Sequence, residues 1–97
     1  MVIQVQEQTV EKEIINSLRF PKNEVLSDSV EINERFQRLQ KALHIGNTNK
    51  HKVRIYFSDI TGIKVTHTTI WAVTENYVVL KAGTRIPINR INRIAFV

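Results

Sequence analysis

From residue 53 to residue 97 apolar and polar side chains alternate, turn-forming residues recur at short intervals, and the run closes on isoleucines two and three apart. Alternation with a period of two marks strands with one buried face, so this half predicts a small, strongly bent antiparallel sheet. Val53, Ile55 and Phe57 share one face, with Arg54, Tyr56 and Ser58 on the other. Ser58-Asp59-Ile60-Thr61-Gly62 reads as a five-residue hairpin loop. The second strand, residues 63–73, is long and carries apolar groups in both registers, which predicts a bend or bulge near Thr68 and Thr69. Trp71, inside that strand, is assigned to the core. Glu75-Asn76 makes the next turn, 77–81 the third strand, Ala82-Gly83 a tight turn and 84–88 the fourth strand. Pro87 lacks an amide donor and belongs on an edge or corner. Ile88, Ile91 and Ile94 can all face inward only if the chain coils between them, so Asn89-Arg90-Ile91 predicts a single tight helical turn before a last strand at 94–97.

Ahead of the strands the period changes. Ile32, Phe36, Leu39 and Leu43 fall at i, i+4, i+7 and i+11, one helical stripe. Asp28 and Glu31 have capping-box spacing, and Gly46 is placed to stop the helix in the left-handed conformation. The prediction is a helix over about 29–44 with Glu31, Glu34, Arg35, Arg38 and Lys41 on its outer face. Glu31–Arg35 and Glu34–Arg38 are i,i+4 pairs in the favourable order, each worth ~0.2–0.5 kcal/mol. Residues 46–52 form a polar, basic linker. Earlier still, Val10, Ile14, Ile15 and Leu18 predict a short extra helix over about 10–19, between Thr9 as cap and Pro21 as stop. Residues 1–9 alternate weakly, as an edge strand or a lead-in. The expected organisation is an N-terminal extension, 1–28, and one mainly β domain, 29–97.

Composition narrows the chemistry. The 97 residues contain no cysteine, which removes disulfides, thiolate metal sites and cysteine nucleophiles. No apolar run is long enough to span a bilayer, and the N-terminus lacks a basic stretch followed by an apolar one; a soluble cytoplasmic protein without membrane partners is expected. The net charge of +5 is unevenly placed. Residues 1–30 hold three basic and five acidic side chains (−2), residues 31–52 five and two (+3), and residues 53–97 six and two (+4). A basic body behind an acidic lead-in attracts polyanions.

The order of elements, one helix, five short strands, a long bent second strand and a tight turn before the last, resembles the small SH3-like barrels. It looks most like the Sm-like proteins, in which an N-terminal helix caps a five-stranded antiparallel barrel. Residues 84–94, Thr-Arg-Ile-Pro-Ile-Asn-Arg-Ile-Asn-Arg-Ile, also resemble the end of WYL domains. Where Sm-like proteins carry an apolar-Arg-Gly-Asn motif, this chain has Ile88-Asn89-Arg90-Ile91, and the Trp-Tyr-Leu run that names the WYL domain is replaced by Trp71-Ala72-Val73. Both resemblances imply binding of nucleic acid or nucleotide-like ligands.

The residues themselves offer little catalytic chemistry. His44, His51 and His67 have no metal-ligand spacing. Ser58, Asp59 and His67 lack the glycines of a nucleophile elbow. Gly46, Gly62 and Gly83 are too far apart for a phosphate-cradling loop. A non-enzymatic protein with no cofactor and no metal is expected. The candidate nucleic-acid-binding residues are Arg54, Tyr56, Lys81, Arg85, Arg90 and Arg93: cations for phosphates and a ring for bases, on RNA or single-stranded DNA. Tyr77 is a second stacking candidate. The competing reading gives Arg90 and Arg93 partners on Glu75 or on the acidic N-terminal segment. A different class of function is a protein–protein interaction module, a homo-oligomer built through strand edges by β-augmentation near Val97.

Overall fold

The computed structural model describes residues 7–96. The weak alternation at Ile3 and Val5 and the strand end at Val97 lie outside the described residues. The chain is mixed α/β, mostly strands in two sheets, with one main helix. In order come β1 (Gln8–Thr9), α1 (Lys12–Ile15), α2 (Ser29–Asn49), β2 (Val53–Asp59), β3 (Gly62–Thr68), β4 (Ile70–Val73), β5 (Tyr77–Leu80), β6 (Arg85–Pro87) and β7 (Ile91–Phe96). Single 3-10 turns at Lys81–Gly83 and Ile88–Arg90 join the last strands. Among the described residues, no helix is long and apolar enough to cross a membrane.

The first sheet has the order β1-β3-β2-β7 and the second β4-β5-β6. Only Thr69 separates β3 from β4, so the long strand breaks where its two apolar registers meet. The coil before β7 also falls where the isoleucine spacing demands it, one residue earlier than expected, at Ile88–Arg90. Between the sheets Val53, Ile55, Phe57, Ile70, Val78, Leu80, Ile86 and Ile91 are fully buried. Burying one such side chain contributes about 1.5–3 kcal/mol. The β2–β3 connection is tighter than a five-residue loop: Asp59 pairs with Gly62 and only Ile60 and Thr61 lie between. The buried Asp59 carboxylate organises it, accepting from the Thr61 amide at 2.9 Å, the Thr61 hydroxyl at 2.8 Å, the Gly62 amide at 3.1 Å and Lys64 Nζ at 3.1 Å. Burial opposes the charged form, yet these donors outweigh it and hold the carboxyl below its ordinary range.

Helix α2 runs five residues beyond the expected end and turns a different face inward. Its buried line is Arg35, Leu39, Ala42 and Gly46, while Ile32 and Phe36 remain 37% and 57% exposed. Close packing is the reason. A Cβ on Gly46 would stand 2.5 Å from the Ile70 carbonyl oxygen and 3.2 Å from Thr69 Cγ2. The helix therefore lies directly on the backbone where β3 gives way to β4, and only small residues fit at that contact. Gly46 is an approach residue rather than a stop; Lys50, at φ 53°, takes the left-handed cap and donates its amide to Gly46 and Ile45 carbonyls. At the other end Asp28 accepts from the Val30 amide at 2.9 Å, so the capping box does not close. Nor do the Glu31–Arg35 and Glu34–Arg38 pairs form among the described residues: Arg35 is turned inward to Glu24 and Arg38 reaches the Ile94 carbonyl. Trp71 is 50% exposed, since Ile70 takes the inward position on the short strand β4.

The short N-terminal helix is one turn, Lys12–Ile15, rather than the span 10–19. Before it, β1 pairs in parallel with β3, and the Val10 amide bonds the Val65 carbonyl at 2.9 Å. After it, residues 16–26 run as an irregular strap. Ile15, Leu18 and Phe20 anchor the strap on the core, with the Phe20 and Phe57 ring centroids 5.9 Å apart.

Gly46→Ala tests the helix contact. Alanine raises intrinsic helix propensity by about 1 kcal/mol, but overpacking of a tight contact costs about 1–3 kcal/mol. Urea denaturation is expected to show net destabilisation; a gain equal to the propensity difference would mean that α2 does not sit on Ile70.

Candidate nucleic-acid interface

The outward face of the first sheet gathers three of the six expected residues. Strand parity turns Arg54 and Tyr56 away from the core, and register brings the rest: Tyr56 lies opposite Arg93 on β7, and Arg54 opposite His67 on β3. The Arg93 guanidinium carbon sits over the Tyr56 ring, 3.8 Å from its centroid. A cation held on a ring in this way keeps a planar, charged surface in a fixed orientation. Arg54, His67 and Arg93 are exposed and Tyr56 is half-buried beneath Arg93. Thr9 and Glu7 border the shallow hollow of about 360 Å³ beside Arg54 and Tyr56. His67, weighed in the sequence only as a metal or catalytic group, joins this face because the two-residue loop at Ile60-Thr61 sets it opposite Arg54.

Arg85 belongs to the second sheet and Lys81 to the turn that joins two of its strands. Arg85 on β6 stacks over Tyr77 on β5, 4.9 Å from the ring centroid. The pair stands at the mouth of a groove of about 840 Å³ between the strap and the second sheet. Leu18, Phe20 and Ile88 supply apolar walls and Lys22 a further cation. Lys81 is exposed in the 3-10 turn Lys81–Gly83, where Ala82 takes φ 69°.

Arg90 is a different case and corrects the expectation of a surface contact. It is 7% exposed. Its Nε donates to the Ser58 carbonyl at 3.0 Å, and Nη1 donates to the Asn23 carbonyl at 2.9 Å and the Asn23 side chain at 3.3 Å. Arg90 therefore pins the strap to the end of β2 through backbone oxygens, and no phosphate can reach it in this arrangement. Among the described residues, neither Arg90 nor Arg93 pairs with Glu75.

Arg35 holds the same strap from the helix. Its Nη1 donates to Glu24 Oε2 at 2.8 Å and to the Ile91 carbonyl at 3.0 Å, while Nη2 bonds Glu24 Oε1. Arg38 adds a bond to the Ile94 carbonyl at 3.3 Å. Two carbonyls of β7 are thus already occupied by helix side chains. The Glu24 carboxyl is held below its ordinary range chiefly by the Arg35 hydrogen bonds, against a smaller opposing effect of burial. Among the described residues no cluster of three or more His, Cys, Asp or Glu side chains is arranged to hold a metal ion.

No family model, curated protein or solved structure matches the chain.

Two outcomes check these assignments. Arg90→Met removes the donors from the Ser58 and Asn23 carbonyls and is expected to cost about 1–3 kcal/mol in urea denaturation. An unchanged midpoint would mean that Arg90 does not hold the strap. For Glu24, a folded-state pKa below the unfolded value gives stability that is present above the unfolded carboxyl pKa and disappears as pH falls through the lowered one. The melting temperature of the wild type should therefore drop more steeply than that of Glu24→Gln between about pH 5 and pH 3; parallel profiles would remove the ion pair from the account.

Proposed function

We propose that this is a non-catalytic protein that binds single-stranded nucleic acid with low sequence specificity, RNA preferred, and that its two sheets are the halves of one helix-capped, five-stranded SH3/Sm-like barrel. The barrel reading rests on continuity. Strand β3 passes into β4 across one residue, β6 passes into β7 through a single 3-10 turn, and β7 returns to pair with β2. The preference for RNA comes from the resemblance of this strand order to the Sm-like proteins.

The observation that carries the binding reading is the stack of Arg93 on Tyr56 beside Arg54 and His67. The free face of the Arg93 guanidinium is a planar cation on which a base can stack, and its edge and Arg54 can donate to neighbouring phosphates. Nothing in that arrangement reads a base edge, which fits low specificity. Arg85 on Tyr77, with Lys81 nearby in sequence, offers a second stacked cation for the same strand. Arg90 has no part in this reading.

Fluorescence anisotropy with a labelled mixed-sequence RNA tests it. On a single strand log K falls by about 0.7 per phosphate neutralised, so three or four exposed cations predict a slope of about −2 to −3 against log salt. Arg93→Ala should lower that slope by about 0.7, and Tyr56→Ala, which removes the ring beneath the guanidinium, should weaken binding by the ~0.5–1 kcal/mol of an exposed cation–π contact. Absence of binding at low salt, or binding unaffected by salt and by both substitutions, would sink the proposal.

A further inference from the structure

On the outward face of the first sheet two basic side chains stand directly opposite each other. Arg54 on β2 pairs in register with His67 on β3, and side chains so placed hold their Cβ atoms about 4.5–5.5 Å apart. Both are exposed, and both line the hollow of about 360 Å³. The charges around His67 come from each neighbouring element. On β2 they are Arg54 and, beyond it, Tyr56 with Arg93 over its ring. Beside β1, Glu7 lines the hollow and Glu11 is exposed. On α1, Lys12 and Glu13 pair with each other at 2.7 Å. Among the described residues no carboxylate forms an ion pair with Arg54 or His67. Like charges directly opposite on a sheet repel, so a protonated His67 facing Arg54 calls for an anion between them.

Granted the proposed binding of a single strand, we propose that Arg54 and His67 form a proton-coupled phosphate seat: a phosphodiester of the strand sits between the two side chains, and His67 takes up a proton as it binds. Charge in the hollow selects this coupling. Among its lining residues Glu7 and Arg54 cancel, so the proton on His67 decides whether the site is neutral or cationic. Neutral imidazole offers one N–H donor, whereas imidazolium offers two and a charge. A phosphate oxygen between Arg54 and His67 turns their repulsion into two charge-assisted hydrogen bonds. Linkage fixes the sign. A strand that prefers the protonated form draws a proton onto His67, and the proton in turn tightens the strand by the same factor. The gain is therefore present in full at the acid end of the histidine range and is lost as pH rises through it. Arg54 and Arg93 keep their charge throughout and supply the binding that remains.

Fluorescence anisotropy with a labelled oligouridine, whose bases do not change charge over the range, tests the seat between about pH 8 and about pH 5. At low salt the wild type should bind about five- to tenfold more tightly at the acid end, the effect of one further phosphate contact, and its slope against log salt should steepen by about 0.7. His67→Gln should keep the affinity of the alkaline end and lose most of the acid gain. His67→Arg, with a fixed charge, should bind at both ends as tightly as the wild type does in acid. By NMR the His67 ring should titrate at higher pH with the oligonucleotide than without it. Binding whose pH and salt profiles are unchanged in His67→Gln would overturn the seat and leave the nucleic-acid reading standing. Absence of binding at the acid end in low salt would overturn both.

Discussion

The buried guanidinium of Arg35 sets the terms for the rest of the molecule. A charged group taken out of water must find its donors' partners inside the protein or cost several kcal/mol. Arg35 finds them on two separate elements, the Glu24 carboxylate of the strap and the Ile91 carbonyl of β7. Helix, strap and last strand are therefore placed by one side chain. Arg90 repeats the solution one residue earlier in the strap, between Ser58 and Asn23. Hydrogen bonds from the Val25 amide to Asn89 and from the Ile60 amide to Arg19 complete the attachment. An irregular segment with few buried side chains is held by polar contacts, and of the residues that make them Arg35 and Asn89 line the groove beside Tyr77 and Arg85.

Two arginines on the strands are stacked rather than buried. Arg93 on Tyr56 and Arg85 on Tyr77 keep their charge at the surface with a ring underneath. The chain thus has two classes of arginine with different physics. One class satisfies backbone oxygens in low dielectric, where losing a partner is costly; the other holds planar cations in open water, where the proposed phosphates and bases can reach them. The proposed function depends on the second class, and the geometry that presents it depends on the first.

Much of this was legible in the sequence. Alternation located the strands, the double apolar register located the break at Thr69, and isoleucine spacing with Pro87 located the turn before β7. Strand parity put Arg54 and Tyr56 outside. The inward face of α2 was not legible, because hydrophobicity favours Ile32 and Phe36 while the contact with Ile70 demands the small Ala42 and Gly46. Arg35 and Arg90 read as surface cations, since nothing local marks an arginine whose acceptors are backbone oxygens distant in sequence. Arg93 faces Tyr56 through the same register that sets Val53 opposite Phe96, and nothing in the sequence of either strand marks that register. The place of His67 opposite Arg54 was hidden by a hairpin loop read as five residues rather than two.

The most direct test of the account is native-state hydrogen exchange on Arg35→Met, which keeps the aliphatic bulk and removes the donors. Selective loss of protection at the Val25 and Ile60 amides, which bond across the strap, is the predicted result, with the β2–β3 ladder still protected. Unchanged exchange at Val25 and Ile60 would contradict it, and would mean that the strap is held by Leu18 and Phe20 packing and not by the buried guanidinium.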